Sequence, residues 1–384
     1  VDADEPEHDV LVVIGTRPEA VKLAGIVQAL GTRARVAHTG QHYDPQLWHA
    51  VAGDVGLPEP RARIAVGGTH RGQQIGTATA ALTTHLLQSP ASAVVVQGDT
   101  NSTLAGALAG NATGTPVVHV EAGLRSDDLR MPEESNRLLV DRVADLCCAP
   151  TPANADRLLR EGVPAERVVV TGNTLFDALA TLLPAPEAAA DVQQRHGVVD
   201  GRYVLATVHR SSNVDDVPRL AALLDGLATL ARSVPVLLPL HPRTRAAADR
   251  AGLALDRPGL ALTPPLGPVD FLALEAGAGL IVSDSGGVQE EACFLRRPLL
   301  VLRDSTERPE LLDGWCELLA DRDPATALVS AWVRAPGWRS ALNGLEPPYD
   351  AVGASERVVA ALHHLLHVRG ASASRTPIPL LDPA

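Results

Sequence analysis

The stretch VVIGTRPEAVKLAG (Val12–Gly25) opens on a short apolar run, turns at Gly15 and continues with apolar residues at helical spacing. A strand, a glycine turn and a helix in that order form the first half of a βαβ unit, which decides the fold class if the pattern repeats. The same stretch holds Lys22, the only lysine of the chain. Lysine offers a compact, rotating ammonium that a guanidinium does not replace, so a single retained lysine just past a strand end draws attention to that place.

The pattern does repeat. DVLVVIG, RVAHTG, SAVVVQGD, PVVHVEAG, ADLCCAPT and RVVVTGN follow one another in the first half, each leading into a turn and a helix-period stretch. A second series, YVLATVHR, VPVLLPLHP, LALTPP, GLIVSDSGG and PLLVLRD, begins after residue 200. The fold class expected is therefore α/β, with two Rossmann-like domains of parallel sheet over residues 9–181 and 203–352. The Ala- and Pro-rich LLPAPEAAADVQQRHGVVDGR (Leu182–Arg202) reads as the linker, and Gly353–Gly370 as a last helix that is a candidate to cross back to the first domain. The final residues read as a loose tail.

The 384 residues, 46% of them hydrophobic and 20% charged, suffice for more than one core. A formal net charge of -12 argues against coating nucleic acid or an anionic membrane, yet leaves room for a local anion site. Cys147, Cys148, Cys293 and Cys316 lie in apolar surroundings without a C-x-x-C pair and read as buried free thiols in a reducing, cytoplasmic setting. No apolar run reaches the roughly 18 residues of a membrane helix, and the acidic start does not read as a secretory signal.

Ligands of open parallel sheets bind beyond the carboxyl ends of strands. Arg17, Glu19, Gln41, His42, Asp99, Glu121 and Arg125 gather there in the first half, and His209, Arg210, His241, Asp284, Ser285 and Arg303 in the second. Asp99 in QGDTNST has on pattern alone the look of a helix N-cap. Glu121, directly after four buried-type residues, needs a partner or a task. In SDSGGVQEEA (Ser283–Ala292), Ser285 can cap a helix, while Gly286 and Gly287 let an anion approach its N–H groups. Glu290 and Glu291 follow within a turn, near enough to accept from sugar hydroxyls. MPEESNR (Met131–Arg137) puts Pro132 at a first helical position with acids in the first turn, as the helix dipole favours. G-x-x-x-x-G-K-[ST] and G-x-G-x-x-G are absent, so neither a P-loop ATPase nor a dinucleotide enzyme is indicated.

Taken together, GTRPEAVK, TGQHYD, QGDTNST, HVEAGLRS, MPEESNR, VTGNTLFD, TVHRSSN, PLHPRT, SDSGGVQEEA and LRDSTERPE resemble the non-hydrolysing, bacterial type of the UDP-N-acetylglucosamine 2-epimerase family, collinearly from about residue 11 to residue 315. The resemblance implies a GT-B fold with a nucleotide sugar in the interdomain cleft, usually a homodimer, and interconversion of UDP-GlcNAc and UDP-ManNAc without NAD, metal or other cofactor. It implies elimination of UDP across C1 and C2, then re-addition with a proton given to the other face. On this reading Asp99, Glu121 and Glu133 are catalytic carboxylates and His209 acts on the leaving phosphate. Arg17, Lys22, Arg125, Arg210, His241, Phe271, Ser285, Gly286, Gly287, Glu291 and Arg308 bind substrate.

After His209 and Arg210 the family commonly has a polar residue and Glu-Asn, whereas the chain has Ser211, Ser212 and Asn213 and so lacks the glutamate. Pro268 stands where an aromatic is common, Phe294 and Arg296 replace smaller residues, and Gly72 stands where an arginine of the family's allosteric pocket is expected. Rival readings are a 2-epimerase of another UDP-2-acetamido sugar such as a 2,3-diacetamido uronic acid, a hydrolysing epimerase, a GT-B glycosyltransferase and a silent nucleotide-sugar sensor.

Overall fold

The computed structural model describes residues 9–41, 52–320, 322–350 and 352–371. The chain forms two units, one taking it up to Ala178 and again from Tyr349 onward, the other Leu179–Pro348. Unit one contains a seven-stranded sheet of order β3-β2-β1-β4-β5-β6-β7. Its strands are β1 (Val10–Ile14), β2 (Ala34–His38), β3 (Ala62–Arg63), β4 (Ala93–Gln97), β5 (Val117–Val120), β6 (Leu146–Ala149) and β7 (Val168–Val170). All pairings are parallel, with Val12 opposite both Val36 and Val95. Helices cover both faces, which is why β1, β4 and β5 are buried throughout and read as unbroken apolar runs.

Unit two holds a six-stranded parallel sheet of order β10-β9-β8-β11-β12-β13. These strands are β8 (Val204–Thr207), β9 (Val236–Pro239), β10 (Leu260–Thr263), β11 (Leu280–Ser283), β12 (Leu299–Val301) and β13 (Cys316–Leu318). The two-residue β3 and the edge strand β13 are too short and too mixed to stand out in the sequence. The stretch read as a linker is not loose throughout, because Pro186–Arg195 forms a helix that packs on the helix Pro268–Gly277. Proline at the first helical position and alanines thereafter favour that outcome.

The helix Ala354–Ala371 lies on the helix Arg17–Leu30 of unit one, with Val358, Val359, Leu362 and Leu366 joining the core of β1, β4 and β5. Asp177 receives the N–H groups of Gly353 and Ser355 at 2.5 and 2.6 Å, so one carboxylate satisfies the exposed donors at that helix start. The four cysteines are buried free thiols, and burial pushes Cys148 and Cys316 up to about 12. Among the described residues no helix is long and apolar enough to cross a membrane.

Candidate active site

In each sheet the strand order reverses direction once, between β1 and β4 and between β8 and β11, and a crevice opens beyond the carboxyl ends at such a point. The sequence places its reactive residues there. In unit one the turn after β1 is tight. A side chain at Gly15 would meet Ser102 Oγ at 1.8 Å, so only glycine lets the chain turn against the helix Asn101–Thr113. Gln41 secures the same place, its Oε1 accepting from Ser102 N at 3.0 Å, whereas His42 lies outside the described residues. Glu19 is buried and accepts from Gly15 N, Thr16 N, Thr100 Oγ and Thr103 Oγ at 2.7 to 3.0 Å. Burial raises its pKa and those donors oppose the rise. Arg17 stands exposed at the first position of the helix.

Lys22 reaches from that helix to Glu121, with Nζ 2.7 Å from Oε2 and the two side chains only 6% and 9% exposed. Gln97 Nε2 donates to the same carboxylate oxygen. Glu121 has φ 68°, a left-handed backbone that non-glycine residues seldom adopt, and these two contacts hold its side chain there. Asp99, partly exposed, does not cap the following helix. Thr100 is the N-cap and accepts from Thr103 N at 3.2 Å. The Asp99 carboxylate instead faces Arg137, and its carbonyl accepts from Asn136 Nδ2 at 2.7 Å.

Both of those groups belong to the helix Pro132–Val143, which opens with Glu133 exposed and Glu134 buried. Glu134 accepts from Ser126 N and Asp127 N at 3.0 Å and from Arg137 Nη1 at 2.6 Å, fixing the loop that follows Glu121. Arg125 is put to another use than the substrate contact expected of it. Its guanidinium is buried on Asp141, Glu161 and the Leu124 carbonyl at 2.6 to 3.1 Å. A guanidinium with those partners braces the loop. Gln97, Asn136, Arg137 and Asp141 were missed in the sequence. A signal existed for Arg137 and Asp141, whose i, i+4 spacing places them on one face of a helix.

In unit two Asp284, at the end of β11 and fully buried, gathers the loop after β8. It accepts from His209 N at 2.9 Å, Arg210 N at 2.9 Å and Asn213 Nδ2 at 3.0 Å, and its Oδ1 lies 3.0 Å from His209 Nδ1. Burial raises its pKa, but the bonds from His209, Asn213 and Arg210 outweigh that and hold the carboxyl below its usual range. Asn213 thus joins β8 to β11 and also reaches the Leu302 carbonyl at 2.9 Å. His209 remains about one-third exposed, its ring 5.1 Å from that of His241. His241 itself sits at the N-cap of the helix Pro242–Ala251, where Nδ1 accepts from Arg243 N at 3.1 Å.

Ser285 occupies the N-cap position of the helix Gly286–Phe294, but its side chain does not cap it as expected; its N–H is held by Ser283 Oγ at 3.0 Å. A side chain on Gly286 would meet Glu307 Oε1 at 2.6 Å, while one on Gly287 would come within 3.9 Å of both Ser285 Oγ and Glu291 Oε1. The first glycine is required by packing and the second lies beside a hydroxyl and a carboxylate. Glu290 is not available to sugar hydroxyls, being buried 3.0 Å from Arg308 Nη2. Arg308 also bonds Glu307 at 2.7 Å, and Glu307 bonds Arg303 at 2.7 Å. Phe271 is half-buried on the helix that Pro268 opens.

Two parallel α/β units, each with charged residues at its switch point, have the architecture of a two-domain, Rossmann-like ligand-binding protein. A family model described as UDP-N-acetylglucosamine 2-epimerase matches residues 26–363. A UDP-N-acetylglucosamine 2-epimerase of Methanococcus maripaludis is 37% identical over 325 residues, 83% of this chain and 89% of that protein. A UDP-2,3-diacetamido-2,3-dideoxy-D-glucuronate 2-epimerase of Pseudomonas aeruginosa is 37% identical over 79% of this chain and 85% of its own length. The crystal structure of the Methanocaldococcus jannaschii UDP-GlcNAc 2-epimerase in complex with UDP-GlcNAc and UDP superposes with a TM-score of 0.82 at 35% identity, covering 93% of this chain and 99% of that one. The chain belongs to the UDP-N-acetylglucosamine 2-epimerase family.

Lys22→Arg keeps the charge but forces a larger planar group beside Glu121. Turnover in an epimerase assay should fall about tenfold or more while urea unfolding changes by less than about 2 kcal/mol, far below the cost of removing one partner of a buried pair. Unchanged kinetics would make the lone lysine an accident of composition.

Proposed function

We propose that the chain is a non-hydrolysing UDP-N-acetylglucosamine 2-epimerase. The observation that carries this reading is Glu121: a carboxylate held in a left-handed backbone by Lys22 and Gln97, at the carboxyl edge of a sheet that also presents Asp99. Strain retained at a strand end and fixed by two donors points to a task rather than to packing. Family membership and the collinear motifs give that task a substrate.

In this reading a carboxylate of unit one, Asp99, Glu121 or Glu133, takes the C2 proton. The C1–O bond breaks, its electron pair goes to the β-phosphate oxygen, and UDP and 2-acetamidoglucal form. Re-addition reverses these events, with a second carboxylate giving the proton to the opposite face of C2. The unit-two residues deal with the diphosphate. The helix start at Gly286 and Gly287 receives it, Arg308 and Arg210 add positive charge, and His209, oriented by Asp284, stabilises or protonates the leaving oxygen. Glu291 accepts from the ribose hydroxyls, and Phe271 and His241 line the nucleotide side. Arg17 and Lys22 stand at the β1 switch point for the sugar diphosphate.

The reading is tested by NMR with UDP-GlcNAc in deuterated water. UDP-ManNAc carrying deuterium at C2, with phosphorus retained as sugar diphosphate, is the expected result; free UDP with ManNAc would place the chain with hydrolysing epimerases. The Pseudomonas relative, as similar as the Methanococcus one, supports a second substrate, a UDP-2,3-diacetamido uronic acid. A kcat/KM for that sugar about tenfold above that for UDP-GlcNAc would transfer the assignment.

The same reading makes the enzyme a homodimer of a reducing cytoplasm, consistent with four buried thiols whose burial keeps them protonated. Light scattering should give twice the chain mass, and a monomer would remove the dimer from this reading.

A further inference from the structure

His119 lies inside β5, two residues before Glu121, and is 1% exposed. Its Nδ1 is 2.6 Å from Asp141 Oδ1 and its Nε2 is 2.8 Å from the carbonyl oxygen of Gly98. A carbonyl oxygen only accepts, so Nε2 carries a hydrogen. Asp141 is the other partner, and its second oxygen takes Arg125 Nη2 at 2.7 Å and the Gly123 N–H at 3.3 Å. Burial raises the Asp141 pKa, but His119 and Arg125 together hold the carboxyl below its usual range. The ring thus bridges the Asp141 carboxylate and the Gly98 carbonyl, one nitrogen on each.

Charged groups of several elements surround it. Asp141 comes from the helix Pro132–Val143, Arg125 from the loop after β5, and Glu161 lies behind Arg125, where Arg157 also pairs with it at 2.6 Å. Cys147 of β6 donates to the Asp141 carbonyl at 3.6 Å, and burial keeps its thiol neutral.

The Gly98 peptide is held on both sides. Its N–H donates to the Val120 carbonyl at 3.0 Å, and its own carbonyl receives His119. Gly98 has φ 74° and directly precedes Asp99. The Asp99 carbonyl is bound by Asn136, on the same helix as Asp141.

We propose that His119, held between Asp141 and the Gly98 carbonyl, is a positioning residue that fixes the Asp99 turn relative to Glu121. This rests on the reading that Asp99 and Glu121 are the reacting carboxylates. The contact is tested without substrate, by 15N NMR of histidine-labelled protein: a hydrogen on Nε2 of His119 is expected, and a bare Nε2 would overturn the proposal.

The role is tested with two variants. His119→Asn cannot reach Gly98, and should lower kcat about 10- to 100-fold with KM changed less than about threefold, the scale of a small misplacement of a reacting group. In His119→Gln the amide nitrogen reaches the Nε2 position, and turnover should recover by about tenfold. Equal turnover in the two variants, or an Asn variant within twofold of the parent, would contradict it. Amide hydrogen exchange at Asp99 and Thr100 should quicken in the Asn variant, a readout needing no turnover; unchanged exchange would also overturn the proposal. An inactive parent protein whose Asn variant still shows quickened exchange would instead count against the epimerase reading.

Discussion

The ammonium of Lys22, 2.7 Å from Glu121 and buried with it, is the contact on which the first unit's site depends. A buried ion pair adds little net stability, because desolvating both charges offsets most of their attraction, yet loss of one partner costs about 3–5 kcal/mol. Such a pair is better understood as a geometric constraint. It ties the helix after β1 to the end of β5 across the sheet, and it keeps Glu121 in a backbone conformation the residue would otherwise leave. Around it Gly15, Glu19 and Gln97 have one role each: to let the chain turn, to hold the turn and to share the carboxylate.

The two units use one device. A buried aspartate, Asp141 in unit one and Asp284 in unit two, accepts from a histidine ring nitrogen and from backbone N–H groups of a strand-end loop. Each is ionised because its donors outweigh burial, so each contributes stability above the unfolded carboxylate pKa, and that contribution is lost as pH falls through the lower folded value. The difference lies in what the histidine does next. His119 places its second nitrogen on Gly98 inside the core, while the ring of His209 is about one-third exposed. One arrangement makes a brace and the other leaves a ring able to meet a ligand.

Much of this was legible in the sequence because parallel strands buried on both faces leave unbroken apolar runs, and β1, β4, β5, β8 and β11 could be found from those alone. β3 and β13 could not, being short edge strands. Glu121 was legible as a carboxylate without an excuse, but its partner was not, since nothing in the chain links residues 22 and 121 until the sheet brings their elements together. Arg125 and Glu290 were misjudged for a related reason. A residue at the right place in a motif is read as facing a ligand, and only the packing shows Arg125 turned onto Asp141 and Glu161, and Glu290 occupied by Arg308. Pro186–Arg195 shows the reverse error, where composition suggested a loose tie and local propensity with one packing surface made a helix.

The most direct measurement takes Glu121→Gln, which keeps the shape of the side chain and removes the ionisable carboxylate. With UDP binding followed by calorimetry and C2 deuterium uptake by NMR, the account predicts unchanged UDP affinity and an exchange rate lower by about 100-fold or more. Deuterium uptake within a few-fold of the parent protein would show that the strained, lysine-bound carboxylate is not where the chemistry happens.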